Sequence, residues 1–202
     1  MTRWQQIARE AEGLDYAGRY AERFRELAAR GEDVHGEASF VTGLVEAPAS
    51  VLDAGCGTGR VAIRLAELGY AVVGVDVDAA MLREARAEAP ALDWRVGDLS
   101  VLDTGATYDV VLVAGNTIPL LEPGTLAATA ERLAAHVAPG GRLVCGFGLD
   151  AEHLPGDCPV TPVAEVDAAF GAAGLVEEAR WGSWDRSPYD AAGGYVVTVH
   201  RL

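Results

Sequence analysis

The sequence predicts an α/β fold: a doubly wound, mostly parallel sheet of seven strands that ends in an antiparallel hairpin, preceded by a helical lid. Three observations carry this. Short apolar runs alternate with helix-period segments from about residue 50 onward. The run "YDVVLVAG" is apolar at nearly every position, as a strand is when helices cover both its faces. The last two strand-like runs are joined by a loop too short for a helix, and parallel neighbours need a crossover of about a dozen residues or more, so this pair is antiparallel.

Residues 3–47 read as helices. In "YAGRYAERFRELAARG", Tyr16, Tyr20, Phe24 and Leu27 fall at helical spacing, with Gly31 as the stop. "GEASFVTGLVEAP" is a second short helix, ended before Pro48. "SVLDAG" is then a strand and "GRVAIRLAELG" a helix closed by Gly69. "YAVVGVD" is a strand, and "DAAMLREARAEAP" a helix with Asp78 as its N-cap. "LDWRVGD" and "YDVVLVAG" are strands, and "GTLAATAERLAAHV" is a helix. "APGGRLVCGFG" reads as a turn followed by a strand, and "TPVAEVDAAFGAAGL" as a helix with Pro162 in its first turn. "VEEARWGSW" and "GYVVTVHRL" form the closing hairpin; Trp181 and Trp184, three positions apart in a strand, would point to opposite faces, so at most one reaches a pocket. One domain fits this length: residues 1–47 as lid, 48–148 as ligand-binding core, 149–202 as C-terminal helix and hairpin.

Composition removes several functions. Half of the 202 residues are apolar, the formal charge is −14, and all 16 basic residues are Arg. That balance argues against a basic patch for nucleic acid. Without lysine there is no Schiff base, no lysine general base and no P-loop. Cys56, Cys145 and Cys158 lack metal-ligand spacing, so no metal is expected. The start "MTRWQQIARE" has no apolar signal core, and no run approaches the ~20 residues of a membrane helix. A cytoplasmic protein without membrane contact is the expectation, as monomer or homodimer.

In an open α/β sheet, ligands sit beyond the C-terminal strand ends, at the point where strand order reverses. Four predicted strand ends carry chemistry: Asp53 with the turn Gly55, Gly57, Gly59; Asp76; Gly97-Asp98-Leu99; and "AGNTIP" with Asn116. Asp76, twenty-one positions after Gly55, can hold both hydroxyls of a ribose. Asp98 can accept from an exocyclic amine such as that of adenine. The dinucleotide fingerprint G-x-G-x-x-G fails, because the order here is G-x-G-x-G with Arg at position 60. Asp53 would repel a pyrophosphate and suit an ammonium. A ligand with an adenosine end, a cationic amino-acid end and no phosphate follows.

Together "VLDAGCGTGR", "VVGVDVD", "VGDL", "YDVVLVAGN" and "APGGRLV" resemble the ordered motifs of class I S-adenosylmethionine-dependent methyltransferases. The likeness covers residues 48–148 and extends to the C-terminus by topology. It implies a Rossmann-like sheet, S-adenosylmethionine as cofactor and S-adenosylhomocysteine as product. It implies that Asp53 and the turn Gly55–Gly59, with Cys56 as its small inner residue, hold the methionine part. Asp76 takes the ribose, Val77 packs on adenine, and Asp98 binds the adenine amine beside Gly97 and Leu99. Ala114 and Asn116 line the methyl-bearing end. Lid helices of such enzymes bring residues such as Tyr16, Tyr20 and His35 toward the cofactor carboxylate or the acceptor. "NTIP" lacks the adjacent prolines and aromatic of an N-P-P-Y-type motif, which argues against a nucleobase or glutamine acceptor. No separate substrate domain is visible, so a small-molecule acceptor is expected.

His35, Asn116 and Asp185 are candidates for catalysis, with His153 and Tyr195 as further candidates for a base or orienting group; His136 and His200 read as structural. Arg60 and Arg64 read as a solvated helix face. Two other functions fit parts of the pattern: a non-catalytic module that binds S-adenosylmethionine, and a nicotinamide-dependent oxidoreductase, which shares the acid at Asp76 but fails on glycine spacing.

Overall fold

A computed structural model describes residues 1–202. Three helices come first: α1 (Arg3–Glu12), α2 (Tyr16–Ala29) and α3 (Gly36–Thr42). Strand–helix units follow: β1 (Ser50–Ala54), α4 (Arg60–Glu67), β2 (Ala71–Asp76), α5 (Ala79–Glu88), β3 (Asp93–Val96), β4 (Tyr108–Val113), α6 (Leu126–Ala135), β5 (Val137–Gly148) and α7 (Val163–Ala172). The hairpin β6 (Val176–Trp181) and β7 (Tyr195–Arg201) closes the chain. The sheet order is β3-β2-β1-β4-β5-β7-β6. Strand β7 slots between β5 and β6, antiparallel to both, while the other neighbours are parallel.

The local punctuation works as the residue types require. Asp78 caps α5 by accepting from the Ala80 N–H at 2.8 Å. Gly31 and Gly69, at φ 81° and 93°, follow the ends of α2 and α4. Pro162 sits at the N-cap of α7, just ahead of its first turn.

Alternate residues of the central strands enter two different cores. Val110 and Leu112 pack with Val61, Leu65 and Leu82 beneath α3, α4 and α5. Val111 and Val113 pack with Leu133, Val166 and Phe170 beneath α6 and α7. Both faces are covered, which is why β4 is apolar throughout. A third, small cluster joins Ala8, Tyr16 and Ala17 of the first two helices to Met81 of α5. It seats the lid beside the C-terminal end of β2.

Two expectations are corrected. The turn expected at 138–141 is already strand: Val137 pairs with Tyr108, and the register shifts before Val110 meets Arg142. Gly141 makes that irregularity possible, because a Cβ there would lie 2.9 Å from the carbonyl oxygens of both Tyr108 and Asp109. Trp181 and Trp184 do not split between faces. Strand β6 stops at Trp181, Gly182 breaks the alternation, and both indoles pack on the same core. No helix is long and apolar enough to cross a membrane.

Candidate active site

A cavity of about 790 Å³ lies over the C-terminal ends of β1, β2, β3 and β4, where strand order reverses, with α1, α2 and residues 32–37 as its roof. It brings together Asp53, Gly55, Cys56, Gly57, Asp76, Val77, Asp98, Leu99, Ala114, Asn116, Tyr16 and Tyr20. Gly59 and Gly97 shape the turns behind it without lining it, and the side chains of His35, His153, Asp185 and Tyr195 stand outside it.

The glycine turn is built by backbone bonds across the sheet. The N–H groups of Gly55 and Cys56 both donate to the Val75 carbonyl, at 2.8 and 3.0 Å. Gly55 has φ 87°, and a Cβ there would fall 2.3 Å from Thr117 Oγ1 of the loop after β4. Gly59, at φ 80°, and Gly74 both lie under the Trp94 ring, which comes within 2.4 Å of where their Cβ atoms would be. Trp94 fixes its own orientation by donating from Nε1 to the Ala89 carbonyl at 2.8 Å.

Two buried carboxylates stand on this floor. Asp53, 2% exposed, has an Oδ2 with no hydrogen-bond partner. Burial pushes its pKa up to about 7; Arg60 opposes the rise, and Glu37 and Asp76 add to it. Asp76 accepts from the Gly57 N–H at 2.8 Å on Oδ2 and from the Asp78 N–H at 2.7 Å on Oδ1. Burial still raises it to about 6, because those bonds offset only part of the desolvation and Asp78 adds a like charge. The same two carboxylates, after burial, raise the Cys56 thiol well above its ordinary value, so Cys56 is no ready nucleophile.

Asp98 is exposed and accepts from both the Ser100 N–H and hydroxyl, each at 2.8 Å, all on Oδ1. It therefore caps the short turn Leu99–Val101, and its Oδ2 takes no part in those bonds. Asn116 has φ 65°. Its Oδ1 accepts from the Gly148 N–H at 2.7 Å, and its Nδ2 donates to the His153 carbonyl at 2.9 Å. The amide thus ties the β4 loop to the end of β5. Asp185 is exposed and accepts from the Ser187 N–H within its own turn. Tyr195 Oη, raised by burial, accepts from Trp184 Nε1 at 3.2 Å. His153 Nδ1 pairs with Asp150 at 2.7 Å on the surface. No three His, Cys, Asp or Glu side chains gather as metal ligands.

The lid wall is aromatic. Trp4 meets the Tyr20 ring edge-on at 6.0 Å, and Tyr20 leans on Phe24 at 5.0 Å. Trp184 comes up from the hairpin loop and packs on Phe40 at 5.5 Å.

Arg60 departs furthest from its expected place. Only Arg64 is solvent-facing, paired with Glu67. Arg60 turns under the lid, where it grips both Glu37 oxygens at 2.6 and 2.9 Å, donates to the Val34 carbonyl and lies 4.6 Å from the Phe24 ring centre. This bidentate pair is 17% and 13% exposed. Its partners are separated by 23 positions, so no local pattern announces it. Thr117, Trp94 and Glu37 were likewise without a signal; Gly74 inside a strand was the one local hint of close packing.

Residues 51–141 match a family model described as a methyltransferase domain. The chain is 35% identical over 136 residues to the dTDP-3-amino-3,6-dideoxy-alpha-D-glucopyranose N,N-dimethyltransferase of Streptomyces fradiae, a stretch covering 64% of this chain and 53% of that enzyme. It thus spans about half the length of that curated relative. Among solved structures, the CcbJ methyltransferase of Streptomyces caelestis superposes with a TM-score of 0.71 at 26% identity, over 83% of this chain and 88% of that one. A TehB-like SAM-dependent methyltransferase of Corynebacterium glutamicum superposes with a TM-score of 0.82 at 31% identity, over 92% of this chain and 97% of that one. A likeness of that identity over nearly the whole of both chains, with the family-model match covering the strand ends that floor the cavity, means that this chain belongs to the class I S-adenosylmethionine-dependent methyltransferases.

Proposed function

We propose that this chain methylates a small-molecule acceptor with S-adenosylmethionine. The observation that carries the reading is the unpartnered, buried Oδ2 of Asp53, set in one cavity with Asp76. A buried carboxylate oxygen without a donor suits a cation, and the glycine cradle beside it admits backbone-close approach. The donor set therefore fits the cofactor. Asp53 would take its ammonium, Asp76 its ribose hydroxyls, Val77 the adenine face, and Oδ2 of Asp98 the adenine amine. Tyr20, Ala114 and the loop at Asn116 would border the methyl-bearing end. When bound, S-adenosylmethionine supplies a methyl group on a sulfonium, whose loss leaves a neutral thioether.

The chain's own part is positioning and the exclusion of water. The aromatic side chains of the lid and Trp184 line the cavity, and the Arg60–Glu37 pair holds the lid to α4. No charged side chain in the cavity needs to act as base if the acceptor brings a neutral amine or a thiolate. The relatives' names carry acceptors as different as an amino sugar nucleotide, trans-aconitate and a ribosomal protein, so they support the reaction and not one acceptor. A buried carboxylate where a pyrophosphate would pass disfavours a nicotinamide dinucleotide.

Calorimetric titration tests this reading. S-adenosylhomocysteine should bind at micromolar levels and NADH should not. Asp76→Ala should weaken binding by about 1.5–3 kcal/mol, the worth of charge-assisted bonds to two hydroxyls. Tight NADH binding, or unchanged affinity in the variant, would remove the reading. Transfer of labelled methyl to a panel of small amines, thiols and carboxylates then separates an enzyme from a silent binding module.

A further inference from the structure

Tyr16 is the first residue of lid helix α2 and is 2% exposed. Its ring borders the cavity and meets Trp4 edge-on at 6.2 Å. Its hydroxyl donates to Asp78 Oδ2 at 2.5 Å, the only side-chain hydrogen bond between α2 and the β2–α5 turn. Burial first, then Asp78, raises its pKa to about 12, so it stays a donor across the working range.

Asp78 is 1% exposed and fully engaged. Its Oδ1 accepts from Ala80, and its own N–H donates to Asp76 Oδ1 at 2.7 Å. Asp76 in turn holds the Gly57 N–H of the glycine turn at 2.8 Å. A continuous path thus runs from the lid through Asp78 to Asp76 and the glycine turn. Removing the Tyr16 hydroxyl would leave a buried carboxylate oxygen without a donor, and that carboxylate would have to move or admit water. Its backbone N–H, which orients Asp76, would move with it.

We propose that Tyr16 is a positioning residue: through Asp78 it couples docking of lid helix α2 to the orientation of Asp76, so that cofactor binding and lid closure strengthen each other. The coupling is reciprocal by linkage. It rests on the cofactor reading above, since Asp76 matters here as the ribose ligand.

The test is a double-mutant cycle in S-adenosylhomocysteine affinity, with a thermal melt of every variant. Tyr16→Phe keeps the ring and should weaken binding about tenfold. In an Asp76→Ala background the same change should cost less than about twofold, because the path then ends on nothing. Asp78→Ser, which keeps a capping oxygen but cannot reach Tyr16, should reproduce the Tyr16→Phe loss and serves if Tyr16→Phe folds poorly. Hydrogen exchange of α2 should slow on ligand binding in the wild type and much less in Tyr16→Phe. A Tyr16→Phe variant that melts lower but binds as the wild type overturns the inference, as does an equal loss in both backgrounds, which would make Tyr16 ordinary lid packing. If the wild type itself fails to bind S-adenosylhomocysteine, the methyl-transfer reading falls and takes this inference with it. Normal wild-type binding with unaltered Tyr16→Phe overturns the inference alone.

Discussion

The two walls of the cavity are built by different means. The floor consists of strand ends, and its parts are close in sequence: Asp53 to Gly59, Asp76 to Asp78, Gly97 to Leu99. Backbone hydrogen bonds such as Gly55 and Cys56 to Val75 hold it, and these depend on topology more than on side-chain identity. The roof consists of side chains that meet from afar: Trp4 on Tyr20, Arg60 on Glu37, Trp184 on Phe40. The floor's chemistry is written in short motifs, and the roof's is written in contacts. In the proposed reading the floor takes the cofactor, while the roof borders the space left for the acceptor.

Gly55→Ala attacks the floor and should have the largest effect. The φ of 87° costs a side chain about 1–2 kcal/mol, and the added Cβ would overlap Thr117. Cofactor affinity should fall at least about a hundredfold, with a melting point lower by several degrees. Near-normal titration of this variant would show that the turn yields where it is drawn rigid.

Arg60→Ala attacks the roof. It leaves Glu37 charged, largely buried and unpaired, which should lower stability by about 3 kcal/mol in denaturant unfolding. Arg60→Ala with Glu37→Leu should recover much of that loss. Additive losses in the pair of changes would mean that the two side chains do not depend on one another.

The smallest effect separates the walls by pH. Asp53 and Asp76 have folded pKa values of about 7 and about 6, raised above their unfolded value. The folded chain holds more protons between pH 4 and 7, so stability of the free protein falls as pH rises through that window. An ammonium ligand prefers the ionised Asp53, so affinity should instead rise several-fold from pH 5.5 to 8, with proton release on binding below pH 7. Calorimetry in buffers of differing ionisation enthalpy reads both. A flat profile would place the ammonium elsewhere. Arg60 itself should contribute no slope in this range, since its guanidinium stays charged throughout.

Legibility follows the same division. The order of strands and helices, both covered faces of the sheet and the antiparallel end were readable because periodicity and turn residues act locally. Asp53, Asp76 and the glycines were readable for the same reason: strand ends in a doubly wound sheet converge wherever the topology is right. Arg60 was misread because a helical position next to a charged neighbour looks solvated until a lid is placed over it. Asp185 and His35 carry suitable chemistry, but residues in turns point where neighbouring segments leave room, and here neither lines the cavity. Asn116 sits on the cavity, yet its amide is engaged by Gly148 and His153, two segments that no spacing in the chain predicts would meet there.

The sequence by itself determined the fold class, the strand ends that floor the cavity and the exclusion of phosphate-binding lysines, because each depends on residues within one strand–turn–helix unit. Only the tertiary structure decided how the lid is held, that Tyr16 reaches Asp78, and which polar side chains remain free to face a ligand. Those outcomes depend on which side chain first satisfies a buried donor or acceptor, and that partner is chosen by three-dimensional proximity rather than by position along the chain.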